Sequence, residues 1–332
     1  MYQSALSVLG AGSYGTALAV AAASKGLKVK LWARNADKAA AMQTQRQNPF
    51  YLKDIRFPDS LEVTADLEAA VTAAPIVLIV VPSHCFAPLL ADLKALLGTE
   101  QRVCWATKGL DLQSGRLLSD IAREVLGPAV KIAALSGPTF ARELAAGLPT
   151  AIAVAGSDSD FCAEICSLMH TGTFRLYQTS DFTGLQLGGA VKNVIAIGAG
   201  MSDGLGYGAN ARTALISRGL VEMLRLGLAL GATERCFMGL SGLGDLLLTC
   251  TDNQSRNRRF GLMIGQGVSA DKALAEIGQV VEGLTMTKIV FGLSQRLNIE
   301  MPICAEIYQV LCAGKSARAA AADLLARSLT SE

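Results

Sequence analysis

The chain has 332 residues, a length of about two average domains. Half of it is hydrophobic (51%) and only 17% is charged, which excludes a disordered segment and allows a sizeable core. The formal net charge of +2 excludes the strongly basic surface that nucleic acid or an anionic membrane would require of a partner.

The first half of the chain alternates short apolar runs with helix-like stretches, a pattern typical of βαβ units on a parallel sheet. The predicted strands are residues 5–9, 28–32, 76–81, 102–107, 132–135, 151–155 and 174–177. Helices are predicted over residues 16–24, closed by Gly26, and over 158–170. The continuous β-branched run at 76–81 is typical of a strand that is buried on both faces.

After residue 179 strand-like runs stop and helical periodicity takes over. The predicted helices are residues 183–201, 211–230, 284–297, 302–312 and 317–327, with Gly231 and Gly314 at C-terminal cap positions. We therefore predict an α/β doubly wound Rossmann domain over residues 1–182, followed by an all-α domain over residues 183–332.

Neither a membrane span nor a signal peptide is predicted. The most apolar long stretch, residues 182–202, carries Lys192 near its midpoint, whereas a spanning helix needs about 18 or more consecutive apolar residues. Residues 1–4 contain no basic region and lead directly into a glycine-rich motif. We expect a cytoplasmic protein without a membrane span.

The cysteines and histidines do not form a metal-binding pattern. None of the eight cysteines forms a C-x-x-C pair, and Cys162 and Cys166 have only His170 nearby. Because the usual ligand spacing is missing, we expect no metal and free thiols in a reducing compartment. With only two histidines in the chain, a Ser-His-Asp enzyme or a zinc hydrolase is also disfavoured.

A glycine-rich motif follows the first predicted strand and opens the first predicted helix. It reads Gly10-Ala11-Gly12-Ser13-Tyr14-Gly15, and this context makes it a fingerprint for dinucleotide binding. Gly10 permits the tight turn, Gly12 lets the backbone approach the pyrophosphate, and Gly15 lets the helix pack on the strand. The N–H groups at the start of the helix would bind the phosphates. A tight turn without a ligand is the alternative.

The end of the second strand bears on the choice of dinucleotide. Sites for NAD place an acid about 20 residues beyond the glycine motif, where it binds the ribose 2′-hydroxyl. This chain has no acid there, and Arg34 can instead pair with a 2′-phosphate. We therefore favour NADP(H), with NAD(H) as the alternative in which Arg34 is an ordinary solvated loop residue. The missing acid also argues against a methyltransferase.

Lys192 is the only charged side chain between Asp181 and Asp203, within a stretch of small and apolar residues. A buried lysine is costly unless it is paired or used, and desolvation favours the neutral amine that acid–base chemistry near neutral pH requires. We expect Lys192 to be a general acid/base. The alternative is a lysine whose amine extends to solvent from an apolar face.

Two further segments lie at the carboxyl ends of predicted strands, where ligands of open α/β sheets bind. Lys108 follows the strand 102–107, and the turn Ser136-Gly137-Pro138-Thr139 follows the next strand. Each could singly be an ordinary turn. Together with the glycine motif they line one edge of one sheet.

Two segments of the second half also carry candidate residues. Asp245 is a lone acid in a glycine-rich stretch, and it either caps a helix N-terminus or orients a catalytic lysine. Residues 255–259 read Ser-Arg-Asn-Arg-Arg and open a predicted helix, where N–H groups and a guanidinium would make a phosphate site. An ordinary solvated basic face is the alternative, and the cluster is too short for nucleic-acid binding.

With these residues assembled, the chain resembles the bacterial NAD(P)-dependent sn-glycerol-3-phosphate dehydrogenase family from end to end. The segments that carry the resemblance are GAGSYGTALA, VVPSH, WATKGL, SGPTFARELAAGLPTA, QLGGAVKNVIAIGAGMSDGLGYGANARTALISRGL, GLGDLLLTCTDNQSRNRRFG and IGQVVEG. The glycine motif is shared by many dehydrogenases, whereas GGAVKN and CTDNQSRNRRFG are specific to this family.

The resemblance implies reduction of dihydroxyacetone phosphate to sn-glycerol 3-phosphate with NADPH or NADH, which supplies glycerophospholipid biosynthesis. It implies a Rossmann domain followed by a helical domain like that of 6-phosphogluconate dehydrogenase. An α-rich second domain is compatible with a homodimer, although no particular surface is indicated. Implied cofactor contacts are Ser13, Tyr14, Arg34, Lys108, Ala141, Arg256, Val280 and Glu282. Implied substrate contacts are Lys108, Gly137, Thr139, Lys192, Asp245, Ser255, Arg256 and Asn257. Lys192 would transfer the proton, with Asp245 and Lys108 tuning and positioning it.

Two other functions are weighed against this one. Another two-domain NADP dehydrogenase, acting on a hydroxy acid or a sugar acid, would need a carboxylate site in place of the phosphate site. A non-catalytic NADP-sensing module would keep the glycine motif but would have no use for a desolvated Lys192.

Overall fold

The structure, a computed structural model, describes residues 2–327 and divides into two compact units. The first unit contains the described residues up to Asp111 together with Arg116–Leu185. The second contains Leu112–Gly115 together with the described residues from Gln186 onward. The predicted domain limits, residues 1–182 and 183–332, remain a prediction. That prediction does not foresee that the short segment Leu112–Gly115 groups with the second unit.

The first unit is built around an eight-stranded sheet. Its strands are β1 (Leu6–Leu9), β2 (Val29–Trp32), β5 (Leu61–Thr64), β6 (Ile76–Ile79), β7 (Arg102–Trp105), β8 (Ile132–Ser136), β9 (Thr150–Gly156) and β10 (Phe174–Gln178). Their order across the sheet is β10-β9-β8-β7-β6-β1-β2-β5. β1 and β6 are buried along their whole length, as the apolar runs predict for strands covered on both faces.

Helices cover both faces of the sheet. They are α1 (Ser13–Ser24), α2 (Ala36–Gln45), α3 (Leu67–Thr72), α4 (Phe86–Lys94), α5 (Leu118–Leu126), α6 (Ala141–Ala145) and α7 (Ser159–Met169), with a 3-10 turn over Ser83–Cys85. The alanine-rich α1 packs on one face together with α6 and α7, because its small side chains allow a close approach. On the other face the Trp105 ring lies 5.3 Å from the Phe86 ring of α4.

One strand pair departs from the predicted parallel sheet. β8 and β9 are antiparallel, whereas the other strand pairs of the sheet are parallel. Only the five-residue helix α6 connects β8 to β9. A parallel crossover usually contains a full helix that packs across the sheet, and the connection over residues 137–149 contains none, which suits an antiparallel pair.

A hairpin that the sequence pattern does not predict lies outside the main sheet. It pairs β3 (Gln47–Asn48) with β4 (Leu52–Arg56) in antiparallel fashion. β4 reads Leu-Lys-Asp-Ile-Arg and is mostly exposed, so it lacks the apolar run that marks the buried strands.

The strand order creates the binding edge of the first unit. From β1 the chain continues to β2 on one side, and it later returns through β6 on the other side. Such a reversal opens a crevice at the carboxyl ends of the strands, where open α/β folds bind their ligands. The glycine motif follows β1 at this edge.

Within its described part, the regular elements of the second unit are all helices. Its helices are α8 (Phe182–Gly204), which begins in the first unit, α9 (Gly208–Ala229), α10 (Glu234–Phe237), α11 (Asp245–Thr251), α12 (Arg256–Gly265), α13 (Ala270–Ile277), α14 (Glu282–Arg296), α15 (Pro302–Cys312) and α16 (Ala317–Leu325). One π-helical turn, Leu240–Gly244, precedes α11. The periodic helices are found close to their predicted bounds, whereas the short glycine-rich elements between 234 and 251 are not predicted by periodicity.

Helix α8 is the buried centre of the second unit, with residues 185–202 buried without interruption. Glycines allow α12 to cross it with the two backbones in contact. A Cβ atom at Gly200 would lie 2.0 Å from the carbonyl oxygen of Arg258, and one at Gly261 would lie 1.9 Å from that of Ile197. Even alanine at either position would push the helices apart.

The predicted fold class is confirmed: a Rossmann sheet precedes an all-helical part. Among the described residues, no helix combines the length and the apolar character that crossing a membrane requires.

Candidate active site

The glycine motif of the first unit has the shape that a dinucleotide requires. A Cβ atom at Gly15 would lie 1.9 Å from the carbonyl oxygen of Gly10, and one at Gly10 would lie 2.3 Å from that of Val80. Gly12 is different, because a Cβ atom there would meet nothing within 4 Å. Gly12 is also the N-cap of α1. Open space beside the first N–H groups of a helix suits a pyrophosphate, so these residues fit the cofactor.

Three predicted site residues from separate elements lie together at this edge. Lys108, which follows β7, places its Nζ 5.7 Å from the centre of the Tyr14 ring in the first turn of α1. The same Nζ donates a hydrogen bond to the carbonyl oxygen of Gly137, just after β8, at 3.1 Å. The edge therefore carries a cation beside the start of α1.

The turn after β8 is fixed by close packing. A Cβ atom at Gly137 would lie 2.8 Å from the Cα atom of Ile152 in β9. The Thr139 hydroxyl donates to the Gly137 carbonyl oxygen at 3.4 Å, and Ala141 begins α6, which packs on α1. Gly137 and Thr139 therefore form a turn, and Ala141 lies beside the cofactor edge.

Arg34 lies where the sequence predicts, between β2 and α2, and its side chain is exposed. The adjacent Asn35 caps α2 by accepting a hydrogen bond from the Lys38 N–H at 2.8 Å. Within residues 2–327 no hydrogen bond or ion pair is found for Arg34, so its guanidinium can turn toward a ligand at this edge.

The second unit contains a buried ion pair between two predicted catalytic residues. Lys192 of α8 is 6% exposed and Asp245 of α11 is fully buried. The Nζ of Lys192 donates to Oδ1 of Asp245 at 2.5 Å. Burial of this kind excludes the alternative in which the Lys192 amine extends to solvent.

Thr249 completes this pair and is not predicted from the sequence. Its hydroxyl accepts a hydrogen bond from Nζ of Lys192 at 2.8 Å and donates to the backbone carbonyl of Asp245 at 2.6 Å. Its position four residues after Asp245 on the same helix was the available signal, because such residues share a helix face.

The local structure before α11 explains why Asp245 points at Lys192. The N-cap of α11 is Gly244, so the alternative in which Asp245 caps the helix is wrong. The π-helical turn before it packs directly on α8, since a Cβ atom at Gly188 would lie 2.2 Å from the carbonyl oxygen of Ser241. The small residue at 188 therefore serves a backbone contact, which brings Asp245 to α8.

A neighbouring thiol is kept neutral. Burial raises the pKa of Cys250 to about 12, while the nearby charges of Lys192, Asp245 and Arg258 partly offset one another. The Cys250 thiol is thus fully buried beside Lys192 and protonated at neutral pH.

The start of α12 is tied to the helix that carries Lys192. Nδ2 of Asn257 donates to Oδ1 of Asn193 at 2.9 Å, and Oδ1 of Asn257 accepts from the Gly283 N–H at 2.9 Å. Asn257 thereby links α8, α12 and the start of α14 through one buried side chain.

The predicted phosphate segment forms a capped helix start. Ser255 is the N-cap of α12 and accepts a hydrogen bond from the Arg258 N–H at 3.2 Å. Arg256, the first residue of α12, donates to Oε1 of Gln279 at 3.2 Å, and Gln279 directly precedes Val280 in the segment that leads into α14 at Glu282. Three implied cofactor residues of the second unit therefore lie near one another.

Arg258 has a structural position that the sequence does not reveal. Its buried guanidinium donates to Asp203 at 2.5 Å, to the Cys250 carbonyl at 3.1 Å, and to the side chain of Asn253. Asp203 also pairs with Arg212 at 2.9 Å. These bonds anchor the loop between α11 and α12. Of the three arginines in residues 255–259, Arg258 therefore has a structural role and holds the start of α12 in place.

Within the described residues, no group of three or more His, Cys, Asp and Glu side chains could hold a metal ion. All eight cysteines are free thiols. Burial raises the pKa of Cys162 to about 11 and also raises that of Cys166.

Comparisons with known proteins cover nearly the whole length of the chain. Residues 5–162 match the N-terminal profile of the NAD-dependent glycerol-3-phosphate dehydrogenase family, and residues 181–322 match its C-terminal profile. Glycerol-3-phosphate dehydrogenase [NAD(P)+] of Tolumonas auensis is 60% identical over 329 residues, covering 99% of this chain and 98% of that protein. The enzyme of the same description from Aeromonas salmonicida is 59% identical, with 99% of each chain covered. The crystal structure of glycerol-3-phosphate dehydrogenase from Coxiella burnetii has a TM-score of 0.95 at 44% identity, covering 98% of this chain and all of that one.

Proposed function

This chain belongs to the NAD-dependent glycerol-3-phosphate dehydrogenase family, and from that premise we propose how its residues perform the reaction. It is an NAD(P)-dependent oxidoreductase that interconverts dihydroxyacetone phosphate and sn-glycerol 3-phosphate. The observation that carries the proposed mechanism is the buried contact of Lys192 with Asp245 and Thr249.

The first unit binds the cofactor at the carboxyl edge of its sheet. Gly10, Gly12 and Gly15 shape the turn, and the first N–H groups of α1 bind the pyrophosphate. Arg34 binds a 2′-phosphate, which makes NADP(H) the favoured cofactor and NAD(H) the weaker one. The exposed guanidinium at the end of β2, with no acid beside it at the strand tip, supports this preference.

Lys192 is the proton-transferring residue. When bound, the reduced nicotinamide supplies a hydride to the carbonyl carbon of the ketone, and the carbonyl oxygen then needs a proton. Lys192 as an ammonium stabilises the charge that develops on this oxygen and donates the proton to it. Asp245 holds the amine in place and favours its charged form, since an opposite charge at hydrogen-bond distance stabilises an ammonium.

The start of α12 binds the phosphate of the substrate. Arg256 contributes a guanidinium, and Ser255 and Asn257 contribute polar groups beside the helix N-terminus. A phosphate held there orients the carbonyl for reaction, which converts binding energy into rate. The predicted contacts of Lys108, Gly137 and Thr139 with substrate, and of Ala141, Val280 and Glu282 with cofactor, remain part of the proposal.

We assign the protein to the cytoplasm, as its free thiols suggest, and to the supply of glycerol 3-phosphate for phospholipid synthesis. A homodimer remains a prediction.

The first test follows absorbance at 340 nm with dihydroxyacetone phosphate, once with NADPH and once with NADH. We expect oxidation of both, faster with NADPH. Equal rates would keep the reaction and refute the role of Arg34. Bound NADPH with no oxidation would refute the enzymatic function and favour a sensing module.

A further inference from the structure

Asn48, at the end of the short strand β3, is completely buried and uses its whole side-chain amide. Its Nδ2 donates to the carbonyl oxygen of Ala11 at 3.1 Å and to the Thr16 hydroxyl at 2.8 Å. Its Oδ1 accepts from the backbone N–H groups of Phe50 and Tyr51, at 3.1 and 3.2 Å. One side chain thus links the tip of the hairpin to the glycine motif.

The bond to Ala11 fixes a peptide plane inside the glycine motif. The carbonyl of Ala11 and the N–H of Gly12 belong to the same trans peptide, so they point in opposite directions. Holding the carbonyl toward Asn48 therefore directs the Gly12 N–H away from the hairpin. The second bond holds Thr16, in the first turn of α1, against the same amide.

The motif needs such support because glycine restrains the backbone weakly. Packing against Val80 and Gly10 fixes Gly10 and Gly15, but a Cβ atom at Gly12 would touch nothing within 4 Å. The peptide beside Gly12 therefore depends on a hydrogen bond from outside the motif.

We propose that Asn48 is a positioning residue for the dinucleotide: it orients the Ala11–Gly12 peptide for the pyrophosphate and thereby sets cofactor affinity. The inference rests on the proposed function, since it assumes that the cofactor binds at the glycine motif. The unpredicted hairpin of β3 and β4 then serves as the support that presents this amide, with the Phe50 and Tyr51 N–H groups holding its oxygen.

The test compares NADPH binding to the whole enzyme and to its Asn48→Asp variant, by the change in NADPH fluorescence across a pH range. Aspartate has the same shape, but as a carboxylate it donates nothing and would face the Ala11 carbonyl. We expect about tenfold weaker binding or more at about pH 8, the effect of leaving a buried polar group unsatisfied. Protonation of the buried carboxyl restores one donor, so the variant-to-wild-type ratio of Kd should fall toward about pH 5.5.

The wild-type enzyme is measured over the same range because other charges lie nearby. Lys38 lies 4.9 Å from the centre of the Phe50 ring, and Asp54 of β4 pairs with Arg142 at 3.2 Å. The wild-type enzyme and the variant carry the same charges here and bind the same cofactor, so the ratio of their Kd values isolates the effect of residue 48.

Gln101→Glu is the matched control variant. Gln101 is also a buried amide of the first unit: it donates to the carbonyls of Val71 and Ala74, both at 2.6 Å, and accepts from the Gly98 N–H at 2.8 Å. It precedes β7, at the sheet edge opposite the glycine motif. We expect it to lower thermal stability and to leave the Kd for NADPH unchanged.

The proposal is overturned if Asn48→Asp binds NADPH within about twofold of wild type, if its loss of affinity does not depend on pH, or if Gln101→Glu loses as much. Should the aspartate variant fail to fold, Asn48→Ser, which keeps one donor, carries the same comparison with an intermediate loss. If the wild-type enzyme binds no NADPH, both this inference and the proposed function are overturned. If wild type and Asn48→Asp bind NADPH with the same Kd, this inference alone is overturned.

Discussion

Replacing Thr249 by valine tests the Lys192 site with a minimal change. Valine keeps the shape of threonine and replaces its hydroxyl, which accepts a hydrogen bond from Nζ of Lys192 at 2.8 Å, by a methyl group. Because Lys192 is only 6% exposed, bulk water cannot readily replace the lost acceptor. A hydrogen bond to a charged group contributes about 1.5–3 kcal/mol. If the loss falls on the proton-transfer step, turnover should drop roughly 10- to 150-fold.

The chain offers a matched control two residues further along the same helix. Thr251 also donates to the carbonyl four residues before it, Leu247, at 2.7 Å, but it is exposed. Thr251→Val therefore makes the same chemical change in α11 away from Lys192, and we expect turnover to stay within about twofold of wild type. Thr249→Ser, which keeps the hydroxyl, should recover most of the turnover.

The assay is steady-state reduction of dihydroxyacetone phosphate at saturating NADPH, with kcat and KM determined separately. We expect Thr249→Val to lower kcat, because the Thr249 hydroxyl holds the proton-transferring amine of Lys192. Equal turnover of the Thr249→Val and Thr251→Val enzymes would refute the reasoning, and so would a change confined to the KM for NADPH.

Four further outcomes are expected. Lys192→Ala should lower kcat by orders of magnitude with NADPH affinity retained, and an equal loss of affinity would contradict its assignment. Arg256→Ala should raise the KM for dihydroxyacetone phosphate about tenfold or more, so an unchanged KM would place the phosphate elsewhere. Gly15→Ala should abolish NADPH binding in a titration, because its Cβ atom would lie 1.9 Å from the Gly10 carbonyl oxygen; normal binding would show that the turn can open. Burial raises the pKa of Glu222, so the native state holds this proton more tightly than the unfolded chain does. The free energy of unfolding of the wild type should therefore fall, relative to that of Glu222→Gln, as pH rises above the usual pKa of a glutamate. If the melting temperatures of the two proteins change equally with pH, the prediction is contradicted.

The fold was predictable where one strong pattern dominates a segment. The apolar run at β6 and the periodicity of α15 gave those elements almost to the residue. The antiparallel direction of β9 was not predictable, because composition does not encode strand direction. The hairpin at 47–56 was missed because its charged and exposed residues form no apolar run.

The site was predictable as residue types but not as contacts. Lys192 stands out as a lone charge in an apolar helix, yet its partner Asp245 lies 53 residues away and only the fold joins them. Asn48 gave no signal at all, since a single asparagine before a turn is common. Its importance depends on a contact with a segment 37 residues earlier in the chain.

The burial of α8 has a consequence for synthesis of the protein. The helix is mostly apolar and is buried over residues 185–202, and part of its cover, α12, ends about 60 residues after it in the chain. At a translation rate of about 5–20 residues per second, α8 waits roughly 3–12 s on the ribosome before that cover emerges. During this interval α8 is a long apolar segment that lacks part of its cover, and therefore a segment where a chaperone would act or aggregation would begin.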